Sequence, residues 1–132
     1  CGGFMYLLES LRTIEGKEYP MAGVFPMRCA MLERFSALGY REAVFMEDAP
    51  LGLAGGKVRG HEFHYSKLLD LPDENSGVRT IYALSGRKGA LDEAEGFLRD
   101  NTLGSYVHAH FMSNPGAARA FVLKCREWAE QS

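Results

Sequence analysis

The sequence predicts a single α/β domain, and two observations carry that prediction. Apolar residues recur at helical spacing near both ends of the chain, and strand-like segments separated by turn residues fill the middle. A chain of 132 residues is long enough to bury a core of its own. We therefore expect one domain over residues 1–132, with helices at its two ends and strands between them.

The composition excludes several classes of function. The hydrophobic content is 46% and the charged content 24%, as in water-soluble globular proteins. A formal net charge of −2 provides no basic surface, so nucleic acid is not an expected partner. No apolar run approaches the roughly 20 residues of a membrane span, and no signal peptide is visible. We expect no membrane partner and a cytoplasmic location.

The three cysteines divide into one candidate nucleophile and two candidate core residues. Their number is odd and their spacing is not that of a metal site. Cys29 and Cys125 have apolar neighbours, which predicts small buried side chains in a reducing compartment. Cys1 opens the chain, so we expect either processing or excision from a longer protein.

The first segment combines a cysteine, two glycines and a helical pattern. Cys1 precedes Gly2 and Gly3, and four apolar residues follow at helical spacing: Phe4, Leu7, Leu8 and Leu11. We predict a helix that ends between Thr13 and Gly16. A reactive residue at a glycine turn that opens a helix is typical of a nucleophile elbow, in which the helix N-terminus favours a thiolate. The alternative is an ordinary core helix after a terminal cysteine.

The remaining elements follow from alternation and turn chemistry. Strand-like segments are 21–26, 39–46, 58–66, 78–84, 96–99 and 103–111, and residues 27–38 fit either a helix or a strand. Turn or loop residues fill 48–56, 71–77 and 86–89. Asn114 as N-cap and Pro115 at the first helical position predict a final helix. Its apolar stripe is formed by Ala118, Phe121, Val122, Cys125 and Trp128.

The four histidines lie in two strand-like segments. Alternation places His61, Phe63 and Tyr65 on one strand face and Glu62, His64 and Ser66 on the other. His108 and His110 share a face because they are two residues apart. Such a histidine could serve a cysteine nucleophile as its base. The pair is also half of a metal site, but it lacks a third ligand at suitable spacing. We interpret His61 as a structural histidine bonded to the backbone.

Three motifs, in this order, resemble one family. They are Cys1-Gly2-Gly3-Phe4-Met5-Tyr6-Leu7, Arg59-Gly60-His61-Glu62-Phe63-His64-Tyr65-Ser66 and Tyr106-Val107-His108-Ala109-His110-Phe111. Together they are similar to the C-terminal glutamine amidotransferase domain of cobyrinic acid a,c-diamide synthases, a triad (class I) amidotransferase. The resemblance extends from Cys1 to about residue 129. It implies a flavodoxin-like sheet with flanking helices.

The resemblance also implies a chemistry and its residues. In that family the domain hydrolyses glutamine, and an N-terminal synthetase domain uses ATP and Mg²⁺ to amidate the a and c carboxylates of the corrinoid. The nucleophile then falls on Cys1, its base on His108, and one oxyanion donor on the N–H of Gly2. Glu62 and His64 would line the glutamine site or its exit path, or be purely structural. No cofactor or metal is expected in this domain, and its assembly could be a homodimer.

Two departures from the family pattern are visible. Class I amidotransferases often carry a glutamate two residues beyond the histidine, and here that residue is His110. We therefore expect a catalytic dyad, or a triad completed from elsewhere with Glu62 as the candidate. The family also has a strand before the cysteine and a glycine loop, which this sequence lacks, so the N-terminal part of the domain is expected to be missing.

Other functions stay open at this level. The amidotransferase halves of hydrogenobyrinic acid and nickel-sirohydrochlorin a,c-diamide synthases share these motifs. N-terminal nucleophile amidotransferases also begin with cysteine, but there the cysteine leads into a strand. A non-catalytic docking module with an amidotransferase-like fold is the alternative outside the enzymes.

Overall fold

A computed structural model describes all residues from Cys1 to Ser132. Helices occupy the two ends of the chain: α1 is Gly2–Leu7 and α2 is Pro115–Gln131, the latter preceded by a 3₁₀ turn at Phe111–Ser113. The strands between them are β1 Leu8–Arg12, β2 Glu18–Pro20, β3 Phe25–Met31, β4 Ala37–Phe45, β5 Lys57–His64, β6 Ser66–Leu68, β7 Arg79–Thr80, β8 Tyr82–Gly86, β9 Gly89–Leu91, β10 Phe97–Arg99, β11 Thr102–Gly104 and β12 His108–Ala109. Neither helix is long and apolar enough to cross a bilayer.

The strands form three sheets, and the predicted α/β class is confirmed. Their orders are β2-β1-β3-β6, β11-β10-β7 and β12-β5-β4-β8-β9. The parallel pairing is between β1 and β3, whereas the other strand pairs are antiparallel. The five-stranded sheet carries the histidine motifs on β5 and β12. Its position therefore decides where the candidate chemistry lies.

Two hydrophobic clusters hold the sheets together. One lies under the five-stranded sheet and is built on Ala43, Phe45, Val58, Ile81, Tyr82, Leu84, Leu98, Val107 and Ala117. The other joins α1 to the four-stranded sheet through Phe4, Leu8, Phe25, Met27, Cys29, Val78, Phe97 and Tyr106. Cys29 is fully buried there, as predicted. The second cluster anchors the segment that carries Cys1.

The first helix is much shorter than predicted. It ends at Leu7, and residues 8–12 form β1, so the expected end between Thr13 and Gly16 is wrong. The physical reason is tertiary pairing: β1 lies between β2 and β3, and the alternation that buries Leu8 and Ser10 is that of a strand. Likewise the strand expected over residues 21–26 begins only at Phe25 and runs to Met31.

The last helix begins as predicted but packs differently. Asn114 caps it by accepting a hydrogen bond from the N–H of Gly116 at 3.0 Å, and Pro115 opens it. Only Ala117 is buried, whereas Phe121 is 48% and Trp128 70% exposed. Cys125 lies on the same exposed stripe, so its assignment to the core is wrong. Helix α2 therefore packs against the rest of the protein mainly through its first turn, which contains Ala117.

Candidate active site

The sulfur of Cys1 rests against β5. Cys1 is the N-cap of α1 and is half-buried, and its carbonyl accepts a hydrogen bond from the N–H of Met5 at 3.0 Å. Its thiol points at the carbonyl oxygen of Phe63, 3.8 Å from Sγ. The first turn of the helix therefore places the sulfur beside the central histidine motif.

The second histidine motif pairs with the same strand. β12 is antiparallel to β5, with His108 opposite His61, and the N–H of His110 donates to the carbonyl of Arg59 at 2.9 Å. The rings of His61 and His108 are 4.7 Å apart between centroids and inclined by 30°. Since Phe63 and His61 are successive same-face residues of β5, the strand brings the sulfur and His108 to adjoining positions.

This pairing corrects the interpretation of His61. Its ring is exposed and lies against the ring of His108 at a tilt, and it makes no hydrogen bond to the backbone. The alternation within residues 58–66 is as predicted: Glu62, His64 and Ser66 are buried, and His61, Phe63 and Tyr65 are exposed. The face of the five-stranded sheet that carries His61, Phe63 and His108 is called the outer face below.

An aromatic cluster connects the two halves of the site. Phe4, three residues after Cys1, is 4% exposed and stacks on Phe97 at 5.3 Å between centroids. It also meets the ring of Tyr106 edge-on at 5.1 Å. Tyr106 lies two residues before His108, so one contact holds the sulfur-bearing helix against the histidine-bearing segment. Aromatic pairs of this kind contribute about 0.5–1.5 kcal/mol beyond their buried area.

The two elbow glycines do not adopt a conformation that excludes other residues. Neither Gly2 nor Gly3 has a positive φ, and a Cβ on either would meet no atom within 4 Å. A tight turn at the elbow therefore does not require glycine at either position. They leave open space beside the sulfur instead.

Glu62 and His64 form a buried ionic pair behind the outer face. Nε2 of His64 is 3.1 Å from Oε1 of Glu62, and its Nδ1 is 2.7 Å from the carbonyl oxygen of Ser66. Oε2 of Glu62 accepts from Nε of Arg41 at 2.6 Å. Both ring nitrogens of His64 face acceptors, which favours the imidazolium. The ring also stacks on Tyr106 at 3.8 Å.

Glu62 and His64 each shift the pKa of the other toward its charged form. Burial acts to lower the pKa of His64, but the bonds to Glu62 and Ser66 outweigh it, so the pKa of His64 is raised. Burial acts to raise the pKa of Glu62, and the bonds from His64 and Arg41 outweigh it, so that pKa is lowered. Glu62 thus has its partners on the buried face and makes no bond to His108. The structure gives no support to Glu62 as a third triad member.

His108 is electrostatically suited to accept a proton. Desolvation by its neighbours is the largest cause that lowers the pKa of His108 below the usual value, and the nearby His61 and His64 act in the same direction. The imidazole is therefore neutral at neutral pH, the form that a general base requires.

Comparisons with known proteins identify the family of this chain. A sequence model of the CobB/CobQ-like glutamine amidotransferase domain matches residues 1–116. The chain belongs to the CobB/CobQ-like glutamine amidotransferase family. The family inferred from the three motifs is therefore confirmed.

Relatives within this family carry one name. The amidotransferase chain is 43% identical over 126 residues to the cobyrinate a,c-diamide synthase of Syntrophotalea carbinolica, covering 96% of this chain and 27% of that protein. It is 41% identical to the synthase of Archaeoglobus fulgidus (94% and 26% covered) and 38% identical to that of Leptospira interrogans (95% and 27%). The chain thus spans about a quarter of the length of these relatives.

The amidotransferase holds one further buried carboxyl group, which the sequence motifs do not include. Glu95 is 4% exposed and accepts hydrogen bonds from the N–H of Gly96 at 2.7 Å and of Tyr106 at 3.3 Å. Burial, with a contribution from the charge of Glu62, raises the pKa of Glu95 to about 7. Glu95 lies outside the strands, so alternation could not predict its burial. The one local signal in the sequence is the glycine that follows it.

Glu95→Gln is expected to remove a pH dependence of stability. The folded state holds the proton of Glu95 up to about pH 7, whereas the unfolded chain releases it at an ordinary carboxyl pKa, near 4.5. The folded state therefore binds more protons between these values, and the free energy of unfolding falls as pH rises through them, by on the order of 3 kcal/mol. Glutamine stays neutral and can accept the same two bonds.

Urea unfolding at pH 5 and pH 8 measures this effect. Wild type should lose more stability between the two pH values than the Glu95→Gln variant does. Glu93→Gln is the matched control, because Glu93 is exposed on the same segment. Equal pH dependence in wild type and Glu95→Gln would show that Glu95 ionises normally in the folded protein.

Proposed function

We propose that this domain hydrolyses glutamine, with Cys1 as nucleophile and His108 as its base. The ammonia would serve an ATP-dependent synthetase domain of the same protein, which amidates the a and c carboxylates of cobyrinic acid. Family membership supports the first part, and the name shared by the relatives supports the second and favours cobyrinic acid over related tetrapyrroles. ATP and Mg²⁺ would bind in that other domain, and residues 1–132 would be the C-terminal portion of the amidotransferase domain.

One observation carries the catalytic assignment. A single strand, β5, contacts the sulfur of Cys1 through the carbonyl of Phe63 and pairs with His108 through His61. The motifs that contain Cys1 and His108 are far apart in sequence, and the pairing of β12 with β5 brings them to one surface of the sheet. A thiol and a neutral imidazole at neighbouring positions along one strand supply the nucleophile and the base that cysteine catalysis requires.

The mechanism follows from these two groups. His108 takes the proton of the thiol, and the thiolate attacks the carboxamide carbon of glutamine to form a tetrahedral intermediate. The protonated His108 then donates to the nitrogen, the C–N bond breaks, and ammonia leaves a γ-glutamyl thioester on Cys1. Water, deprotonated by His108, attacks the thioester; the C–S bond breaks, protonated His108 returns the proton to the sulfur, and glutamate leaves with the thiol of Cys1 regenerated.

The oxyanion requires hydrogen-bond donors near the sulfur. The N–H of Gly2 belongs to the first turn of α1, where backbone N–H groups have no partner within the helix. We assign it as one donor to the oxyanion, in the manner of other elbow enzymes. Because Gly2 and Gly3 carry no side chains, a substrate can approach this turn closely.

Covalent labelling tests the proposal. A diazo-ketone analogue of glutamine, added to the full-length protein, is expected to alkylate Cys1, block ammonia release and be slowed by added glutamine. Cys125 is the internal control, since it is exposed and lies away from the site on α2. Peptide mass spectrometry locates the label, and Cys1→Ala should take up none. Equal labelling of Cys1 and Cys125 without protection by glutamine would favour the non-catalytic docking module.

A further inference from the structure

A basic cavity of about 820 Å³ opens on the outer face beside His61. Strands β4, β5 and β8, the turn after β8 and the segment after β12 surround it. Its lining includes three arginines and one carboxylate, Arg41, Arg59, Arg87 and Glu42, together with the hydroxyl and imidazole groups of Tyr40, His61, Ser85, His110 and Ser113. Because His61 also lines the cavity and its ring contacts that of His108, the cavity adjoins the proposed catalytic base.

The cavity carries excess positive charge on a chain whose net charge is negative. Nε of Arg59 donates to Glu42 at 2.7 Å, and Arg41 is paired with the buried Glu62. Arg87 is exposed in the turn after β8 and has no ion-pair or hydrogen-bond partner. Guanidinium groups match the planar, two-oxygen geometry of a carboxylate. The free guanidinium of Arg87 is therefore available to an anionic ligand.

The spacing along β5 fits an extended glutamine. Three positions on β5 mark the site: Phe63 contacts the sulfur, His61 lies opposite His108, and Arg59 borders the cavity. Successive positions are two residues apart, which is about 6.6 Å along the strand. Four C–C bonds separate the carboxamide carbon of glutamine from its α-carboxylate carbon, a span of about 5 Å. With an attack distance of about 3 Å, the α-carboxylate falls near the His61 position, at the rim of the cavity.

We propose that this cavity binds a carboxylate through Arg87, and that the carboxylate is the α-carboxylate of glutamine. This assignment rests on the proposed glutaminase function. The second possible source of a carboxylate is the amide acceptor bound by the synthetase domain. The geometry favours glutamine because the cavity adjoins His108 on the same chain. Arg87 is thus a specificity-determining residue, whereas Cys1 and His108 act on the carboxamide.

Kinetics of Arg87→Gln in the full-length protein test the assignment. The KM for glutamine should rise about ten- to a hundredfold, the effect of losing a charged hydrogen bond, with kcat within twofold of wild type. Lys88→Gln is the matched control, because Lys88 is the next exposed residue of the same turn and does not line the cavity. Hydrolysis of 4-aminobutanamide, which has no α-carboxylate, should be equally slow in wild type and Arg87→Gln.

Binding measurements separate this proposal from the proposed function. Calorimetric titration with L-glutamate reports the cavity without turnover, and its affinity should fall in Arg87→Gln and not in Lys88→Gln. Glutamate binding that depends on Arg87 in a protein without glutaminase activity would support the cavity and overturn the glutaminase. An unchanged KM for glutamine with a raised KM for the acceptor would overturn the assignment to glutamine. Equal behaviour of both variants in every assay would overturn the cavity as a carboxylate site.

Discussion

His108→Ala is expected to lower kcat/KM for glutamine hydrolysis by about 10²–10⁴-fold, the usual contribution of a positioned acid–base group. The reason is its place opposite His61 on β12, next to the sulfur that contacts Phe63. The fold should survive, since His108 is exposed and surface substitutions usually change stability by about 0.5 kcal/mol or less. Ammonia release in the full-length protein, with a thermal melt of each variant, measures both.

The pH profile distinguishes His108 from His110. His108 has a lowered pKa, so the acidic limb of kcat/KM should lie below the ordinary histidine value of about 6.5. His108→Ala removes that limb, and added imidazole should restore part of the rate. His110 instead accepts a hydrogen bond from the N–H of Met112 and caps the 3₁₀ turn. His110→Ala should keep the acidic limb, and loss of the limb in that variant would exchange the two roles.

The strand alternation beside the candidate site is predictable from sequence, whereas the pairing that assembles the site is not. Strand alternation within residues 58–66 correctly separated His61 from Glu62 and His64, because a strand obeys a period of two. The pairing of His108 with His61 is a long-range contact that no local pattern encodes. The prediction that His61 is a structural residue bonded to the backbone is therefore wrong, because its ring contacts that of His108.

The errors in the fold have the same origin. Leu7, Leu8 and Leu11 fit a helix by spacing, but Leu8 and Leu11 pair with β3 in a strand, and tertiary context overrides such a weak preference. The stripe containing Cys125 and Trp128 correctly predicted a helix and wrongly predicted its burial. Periodicity shows that a face is apolar and does not show what covers it.

The sequence left open how His108 is oriented without a glutamate two residues later. Glu62 is committed to Arg41 and His64 on the buried face, so it does not supply that orientation. Two other devices remain: the contact between the rings of His61 and His108, and the backbone pairing of β12 with β5. The second depends on Gly60, where the two backbones approach closely.

Gly60→Ala is expected to displace His108 and to lower glutaminase activity about 100-fold or more. A Cβ at residue 60 would lie 2.0 Å from the carbonyl oxygen of His108 and 3.1 Å from Cα of Ala109. Both contacts are with backbone, so β12 must move away from β5. A displacement of about 1 Å in a catalytic group can cost 10²-fold in rate, and overpacking typically costs about 1–3 kcal/mol of stability.

Gly86→Ala is the control for stability, because its Cβ would come no closer than 3.4 Å, to the flexible end of Arg41. Urea unfolding should show a loss for Gly60→Ala and little for Gly86→Ala. The kcat of Gly60→Ala shows which of the two devices positions His108. A fall in kcat in a variant that remains folded means that the close pairing of β12 with β5 positions it. Full kcat in a folded Gly60→Ala variant would mean that contact with the ring of His61 alone is sufficient, since this contact can persist after the backbone bonds are lost.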